Sequence, residues 1–213
     1  MDFYYGSGSP YAWRVWLALE HKKLAYELHV VSFDKGETKT PEYLRMNPRG
    51  RVPVISDKGF AVYESAAIVE YLEQAYPGSG APLFARDARA AATTRRMIRE
   101  ADEYLAHAME QLVDQVLFTK PEQWDAHKIE KGRAAFGKEL SHFETSPLGE
   151  GAPDAADYAV YPMVALALRM QRKKPDLGVA AMIGPRLSGW MKKIESLPFF
   201  DKTYPPHWRP KQA

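Results

Sequence analysis

The chain has 213 residues, 46% of them hydrophobic and 26% charged, with a formal net charge of +2. That composition supports one or two folded domains and argues against disorder, and the small charge, with acidic and basic residues interspersed, leaves no footprint for nucleic acid. Cysteine is absent, which excludes disulfides, thiolate-held metals and a thiol nucleophile of the protein's own.

The first eighty residues alternate strand and helix signals. Residues 2–5 read as a short strand. Gly6-Ser7-Gly8-Ser9-Pro10 is then a small-residue turn that opens a helix, with Ser9 at the N-cap and Pro10 at the first helical position, where its missing N–H costs nothing. Apolar residues recur at helical spacing from Tyr11 to Leu19. Residues 25–31 are aromatic and β-branched enough for a second strand, and Thr40-Pro41 repeats the cap-then-proline start. Asn47-Pro48-Arg49-Gly50 is a turn cluster. Residues 52–56 and 60–63 are two short strands joined as a hairpin at Asp57-Lys58-Gly59. Residues 66–76 form an amphipathic helix stopped by Pro77-Gly78. The order is βαβαββα.

Pro77-Gly78-Ser79-Gly80-Ala81-Pro82 reads as a linker, and no strand pattern follows it. Helical runs are expected over 87–118, from Pro121 to about 144, over 158–170 and over 183–197. The third follows Asp154-Ala155-Ala156-Asp157, an acid-x-x-acid helix start, and is apolar almost all round, as a buried central helix must be. Phe199, Phe200, Tyr204 and Trp208 mark an aromatic, proline-broken tail. The change of pattern predicts domains at 1–77 and 87–213 with a linker at 78–86. No apolar run has bilayer length, and Met1-Asp2-Phe3 enters a strand pattern at once, so a cytosolic protein without a membrane partner is expected.

Four features could carry chemistry. A helix N-terminus offers unpaired donors and partial positive charge, so Ser9 could present a hydroxyl to an anion; read alone, a plain cap is the commoner outcome. Pro53 at a strand start is either an edge proline or a cis proline that frees the Val52 amide and carbonyl for an extended ligand. Glu64-Ser65 at a helix start could hold an amino-acid head group, the carboxylate taking the ammonium and the hydroxyl the carboxylate; the plainer alternative is a solvated acid and a cap. Lys39 and Arg51 are surface charges or the partners of a second carboxylate.

Three of these stretches stand in register. Ser9-Pro10-Tyr11-Ala12-x-Arg14, Asn47-Pro48-Arg49-Gly50-Arg51-Val52-Pro53 and Glu64-Ser65-x-Ala67-Ile68-x-x-Tyr71-Leu72 together resemble the cytosolic glutathione transferases. The resemblance runs from residue 1 to about 76 and continues more weakly through residues 154–162, which resemble that family's capped central helix. It is closest to the serine-using type, a bacterial-looking chain with a theta-, zeta- or delta-like amino domain, because Ser9 stands where other classes carry tyrosine or cysteine. The implied architecture is α/β plus all-α: a thioredoxin-like βαβαββα amino domain that binds glutathione, then an all-helical carboxyl domain that lines the electrophile site.

Carried over residue by residue, the resemblance implies that Ser9 donates its hydroxyl hydrogen bond to the glutathione sulfur. Val52 would pair its backbone with the cysteinyl unit, with Pro53 in cis. Glu64 and Ser65 would hold the γ-glutamyl end, and Lys39 and Arg51 would face the glycyl carboxylate. Arg51 stands where lysine is commoner, which keeps the charge and changes the donor geometry. Ser7, Tyr5 or a backbone amide are the alternatives for the sulfur contact. Tyr11, Tyr104, Met109, Phe118 and Tyr161 are candidates for the electrophile pocket, each also readable as plain core.

The implied activity is transfer of the glutathione thiolate to small hydrophobic electrophiles, a detoxification chemistry. The resemblance further implies glutathione as co-substrate, chemistry without a metal and a cytoplasmic homodimer, and the balanced charge leaves no nucleic-acid partner expected. A glutathione-dependent isomerase or dehalogenase on the same scaffold is the alternative within enzymes. The double-serine-cysteine signature of the isomerase-like class is replaced here by Ser9-Pro10-Tyr11. A non-catalytic ligand-binding or partner-docking protein is the alternative outside enzymes, and it would not need the full glutathione set.

Overall fold

In the computed structural model, which describes residues 1–209, four strands form one sheet: β1 (Asp2–Tyr5), β2 (Glu27–Val30), β3 (Val54–Asp57) and β4 (Phe60–Tyr63). Their spatial order is β2-β1-β3-β4. β1 and β2 run parallel, which requires a crossover, and α1 (Pro10–His21) supplies it; β3 pairs antiparallel with both β1 and β4. The hairpin turn closes on Lys58 and Gly59, with φ of 51° and 86°, a left-handed pair whose twist matches the flanking strands. α2 (Pro41–Met46) starts after Thr40, whose hydroxyl accepts from the Tyr43 amide, and α3 (Ser65–Ala75) follows β4. This is the thioredoxin-like βαβαββα order.

Alternation along β1 divides the core. Phe3 and Tyr5 face Trp16 of α1, whose ring lies 4.9 Å from that of Tyr5 and 6.4 Å from that of Phe3. Tyr4, on the opposite face, meets Tyr43 of α2 and stacks on His29 at 4.7 Å. Large apolar side chains buried this way contribute about 1.5–3 kcal/mol each. Two element edges differ from the sequence pattern. β3 begins at Val54 rather than Val52, because Pro53 has no N–H to give to a ladder. α3 begins at Ser65 rather than Ala66, so Ser65 is a helical residue and the cap position falls on Glu64, whose side chain makes no cap bond.

The helical part comprises α4 (Ala88–Glu100), α5 (Ala106–Val113), α6 (Ala126–Glu144), α7 (Ala155–Lys173), α8 (Val179–Met182) and α9 (Pro185–Glu195). The expected run over 87–118 is helical, but it widens twice into π turns, at Ala101–Leu105 and Asp114–Phe118. Pro121 opens only a three-residue 3-10 turn; Asp125 caps α6 by accepting from the His127 and Lys128 amides. The last predicted helix, 183–197, is trimmed to α9, which starts at Pro185 after its cap Gly184, and the short α8 precedes it where the pattern showed no helix. α7 is buried along most of its length. Its capping box pairs Asp154 and Asp157, and Asp157 also accepts from the Trp190 indole at 2.7 Å. Burial, reinforced by the charge of Asp154, pushes the Asp157 carboxyl up to about 6.

By contact the chain divides into Met1–Asp87 with the segment from Pro198 onward, and Ala88–Leu197. The sequence boundary put the tail with the helices. The tail instead joins the amino unit because Trp13 of α1 receives it: the indole donates to Thr203 Oγ1 at 3.0 Å, and its ring meets Phe200, Tyr204 and Trp208 at 5.5–5.9 Å. α10 (Phe200–Thr203) and the 3-10 turn Pro206–Trp208 form this segment. The expected linker is packed as well, with Leu83 wholly buried and its amide donating to Glu73. Among the described residues no helix is long and apolar enough to cross a membrane.

Candidate active site

The turn between β1 and α1 is built to present one hydroxyl. Ser9 is extended (φ −70°, ψ 121°), its amide donates to the Gly6 carbonyl at 3.1 Å, and its Oγ accepts from the Ala12 amide at 3.3 Å. A serine hydroxyl has one proton and two lone pairs, so capping consumes a lone pair and leaves the proton to donate outward. Cap and anion ligand are therefore compatible roles for Ser9.

The alternative hydroxyls are less available. Tyr5 is buried between Phe3 and Trp16, and that burial raises its pKa, which weakens it as a partner for an anion. Ser7 Oγ lies 2.8 Å from Nδ1 of His207. Phe33, more than half exposed, rests its ring on Gly6, where a Cβ would stand 2.4 Å from Phe33 Cζ, so only glycine admits the ring there.

A second stretch shapes the backbone at Val52. The Val52-Pro53 peptide is cis, as the resemblance implied. Just before it, the Arg51 carbonyl accepts from the Tyr43 hydroxyl at 2.9 Å and from Asn47 Nδ2 at 2.7 Å, which anchors the chain entering Val52. Lys39 Nζ reaches the Gly50 carbonyl at 3.4 Å, bringing its charge beside the turn that carries Arg49 and Arg51. Arg49, Arg51, Tyr63 and Glu64 line one cavity of about 560 Å³. Two guanidinium groups and a carboxylate in one hollow suit a ligand with charges of both signs.

Glu64 has φ of 67°, a left-handed backbone that costs a non-glycine residue roughly 1–3 kcal/mol and that clusters at functional sites. Its neighbour Ser65 is buried and accepts from Arg14 Nη1 at 3.2 Å. Arg14 is itself buried, 1% exposed, and stands over the Tyr11 ring at 5.8 Å.

Of the electrophile candidates, Met109 and Tyr161 are buried within the helical unit, where the Tyr161 hydroxyl donates to Glu195 at 2.9 Å and its ring meets Trp190; both act there as core. Tyr104 and Phe118 are exposed, each on one of the π turns, and Tyr11 is half-buried. Sequence reasoning missed the contacts that Tyr43, Asn47, Arg49, Tyr63, Phe33 and His207 make around the candidate site. Asn47 and Arg49 were read only as turn residues, and nothing in the local pattern links Phe33 to Gly6 or position 207 to position 7. Among the described residues, Asp2, Glu27 and His29 form the one group that could hold a metal; they lie on the β1–β2 edge, where His29 is 3.0 Å from Asp2 and 3.9 Å from Glu27 as in an ordinary ion pair.

A thioredoxin-like unit with a serine-capped first helix, joined to a helical unit, is the arrangement that the resemblance to glutathione transferases implied. Comparison with known proteins agrees. The amino-terminal domain model of glutathione S-transferases matches residues 8–75. The crystal structure of a glutathione S-transferase from the Antarctic clam Laternula elliptica is 32% identical, covers 97% of this chain and 93% of that chain, and superimposes with a TM-score of 0.79. Glutathione S-transferase A of Pleuronectes platessa is 29% identical over 98% of this chain and 92% of its own. A probable maleylacetoacetate isomerase of Drosophila melanogaster is also 29% identical, over 92% of this chain and 78% of its own. The chain belongs to the glutathione S-transferase family.

Proposed function

We propose that the chain binds glutathione at the amino unit, holds its sulfur as a thiolate beside Ser9, and transfers it to small hydrophobic electrophiles. The observation that carries this is the Ser9 hydroxyl, which caps α1 through a lone pair and keeps its proton for the ligand. A thiol of pKa about 8.5 is mostly protonated at neutral pH, and lowering it by about two units takes about 2.7 kcal/mol of preferential thiolate stabilisation. One charge-assisted hydrogen bond, worth roughly 1.5–3 kcal/mol, together with the N-terminus of α1, is sufficient. Ser9 thus acts neither as base nor as nucleophile; it stabilises charge on the ligand.

Within this reading Glu64 and Ser65 take the γ-glutamyl end, the Val52 backbone pairs with the cysteinyl unit beside Pro53, and Lys39 and Arg51 face the glycyl carboxylate. The mixed charges of the cavity support that polarity. On the amino unit, Tyr11 and Phe33 offer apolar surface beside the turn for the electrophile. A cytoplasmic location, two-fold pairing and chemistry without a metal belong to the same proposal. Ser9→Ala should lower turnover with a chromogenic aryl halide about 10- to 100-fold, the equivalent of a charge-assisted hydrogen bond, and leave glutathione affinity within about twofold. Unaltered turnover would move the sulfur contact to a backbone amide or Ser7.

A second reading, glutathione-dependent isomerisation, draws support from the likeness to the Drosophila isomerase. There the same thiolate adds to the substrate and leaves again, so glutathione would be required but not consumed. Following glutathione loss against product separates the two.

A further inference from the structure

The last described residues pack on the first helix. Trp13 anchors the returning segment through Thr203, Phe200, Tyr204 and Trp208, and Lys202 pairs with Glu20 at 2.7 Å. That docking lays the 3-10 turn Pro206–Trp208 over the small-residue turn that precedes α1. There His207 Nδ1 sits 2.8 Å from Ser7 Oγ, and the imidazole packs against Gly8. A Cβ at Gly8 would stand 2.8 Å from His207 Cε1 and 3.1 Å from both His207 Nε2 and Trp208 Nε1, and Gly8 has φ of 84°, so position 8 admits glycine for two separate reasons.

Two serines of this turn could face a sulfur, and each hydroxyl carries one proton. Ser7 has its oxygen in a hydrogen bond with an imidazole nitrogen, and where that nitrogen accepts, the Ser7 proton is spent. Ser9 spends a lone pair and keeps its proton. The interaction also ties the middle of a flexible Gly-Ser-Gly sequence to a rigid aromatic anchor, which holds the backbone that leads into Ser9.

We propose that His207, at the far end of the chain, is a positioning residue of the sulfur site: it holds Ser7 and the Gly6–Ser9 turn so that Ser9 alone presents its hydroxyl to the thiolate. This rests on the reading of Ser9 given above. The residue touches neither glutathione nor electrophile in this role, so its removal acts on turnover through geometry rather than through affinity.

The test is a set of full-length variants, His207→Ala, His207→Asn, Ser7→Ala, the Ser7→Ala/His207→Ala double variant and Ser9→Ala, assayed with glutathione and a chromogenic aryl halide beside calorimetric glutathione titrations. His207→Ala should lower kcat about five- to tenfold, the size expected for one neutral hydrogen bond, with glutathione affinity within about twofold. Ser7→Ala should do the same, and the double variant should lose no more than either single one, because both remove one interaction. His207→Asn, which keeps a polar atom near the place of Nδ1, should recover most of the loss. Wild-type kcat in His207→Ala, multiplying losses in the double variant, or an asparagine no better than alanine overturns the proposal. Ser9→Ala with full turnover would instead overturn the Ser9 assignment, while the His207 and Ser7 losses and their coupling are still read from their own variants.

Discussion

Arg14 of α1 donates from Nη1 to Ser65 Oγ at the first residue of α3, a 3.2 Å hydrogen bond between two buried side chains. It couples the helix that carries Ser9 to the helix start proposed to take the γ-glutamyl end. In that proposal Arg14 orients the Ser65 hydroxyl from behind. Replacing it with methionine keeps most of the volume and removes the donor. Arg14→Met should weaken glutathione binding roughly fivefold to tenfold, the size of one hydrogen bond, and lower stability by about 1–3 kcal/mol. Calorimetric titration with glutathione measures the first effect. A dissociation constant within twofold of wild type would remove Arg14 from the site.

Glu64 separates backbone strain from ligand charge. Its φ of 67° suits glycine better than glutamate, while its carboxylate lines the cavity with Arg49, Arg51 and Tyr63. Glu64→Gln keeps the strain and removes the charge, so glutathione affinity should fall about 10- to 100-fold, as for a lost charge-assisted hydrogen bond, with stability nearly unchanged. Glu64→Gly should lose comparable affinity yet relax the strained backbone, shifting its thermal midpoint above that of Glu64→Ala. Glutathione binding by Glu64→Gln as tight as wild type defeats the ammonium assignment.

Lys22 is wholly buried, with Nζ 2.9 Å from Glu73 Oε2, and the same oxygen accepts from the Leu83 amide. Removing one member of such a pair strands the other charge. Because Glu73 keeps some exposure, Glu73→Gln should cost toward the low end of the roughly 3–5 kcal/mol known for broken buried pairs. The Lys22→Met/Glu73→Leu double variant should recover much of that. Urea unfolding of wild type, Lys22→Met, Glu73→Leu and the double variant gives the coupling; a double variant as unstable as the sum of those two singles refutes it.

How much of this was legible follows from which interactions are local. Ser9 as a cap, Asp154 and Asp157 as a capping box, and the Lys58-Gly59 turn are each settled within a few residues of chain, and they stand where the pattern placed them. Ser65 was read as the cap before α3 and is its first residue instead, and its hydrogen bond with Arg14, 51 positions away, left no mark in the local pattern. The π turns at 101–105 and 114–118 leave the apolar periodicity close to α-helical, so no spacing announced them. The boundary at residue 87 sent the tail to the wrong unit for the same reason: Trp13 and Trp208 are distant in sequence, and an aromatic contact of 5.5 Å leaves no trace in either local pattern.

Asp57 gives the fold a stability plateau with two edges. Its Oδ2 accepts from the Tyr76 hydroxyl at 2.5 Å and from Tyr71 at 2.8 Å, tying the β3–β4 hairpin to the end of α3. The Tyr76 hydrogen bond, followed by that of Tyr71, holds the Asp57 carboxyl below its ordinary value of 3.8. The same bonds raise both tyrosines, Tyr76 to about 12. The unfolded aspartate binds its proton more readily than the folded one, so this contribution is complete above about pH 4 and is lost as pH falls through the lowered folded value. For the tyrosines the folded state holds the proton more tightly, so stability is lost as pH rises from about 10 toward 12. Asp57→Asn should lower mid-range stability by about 1–3 kcal/mol and flatten both edges. Urea midpoints across the pH range test this: a variant whose curve runs parallel to wild type at both ends would show that Asp57 and its tyrosines are not the groups responsible.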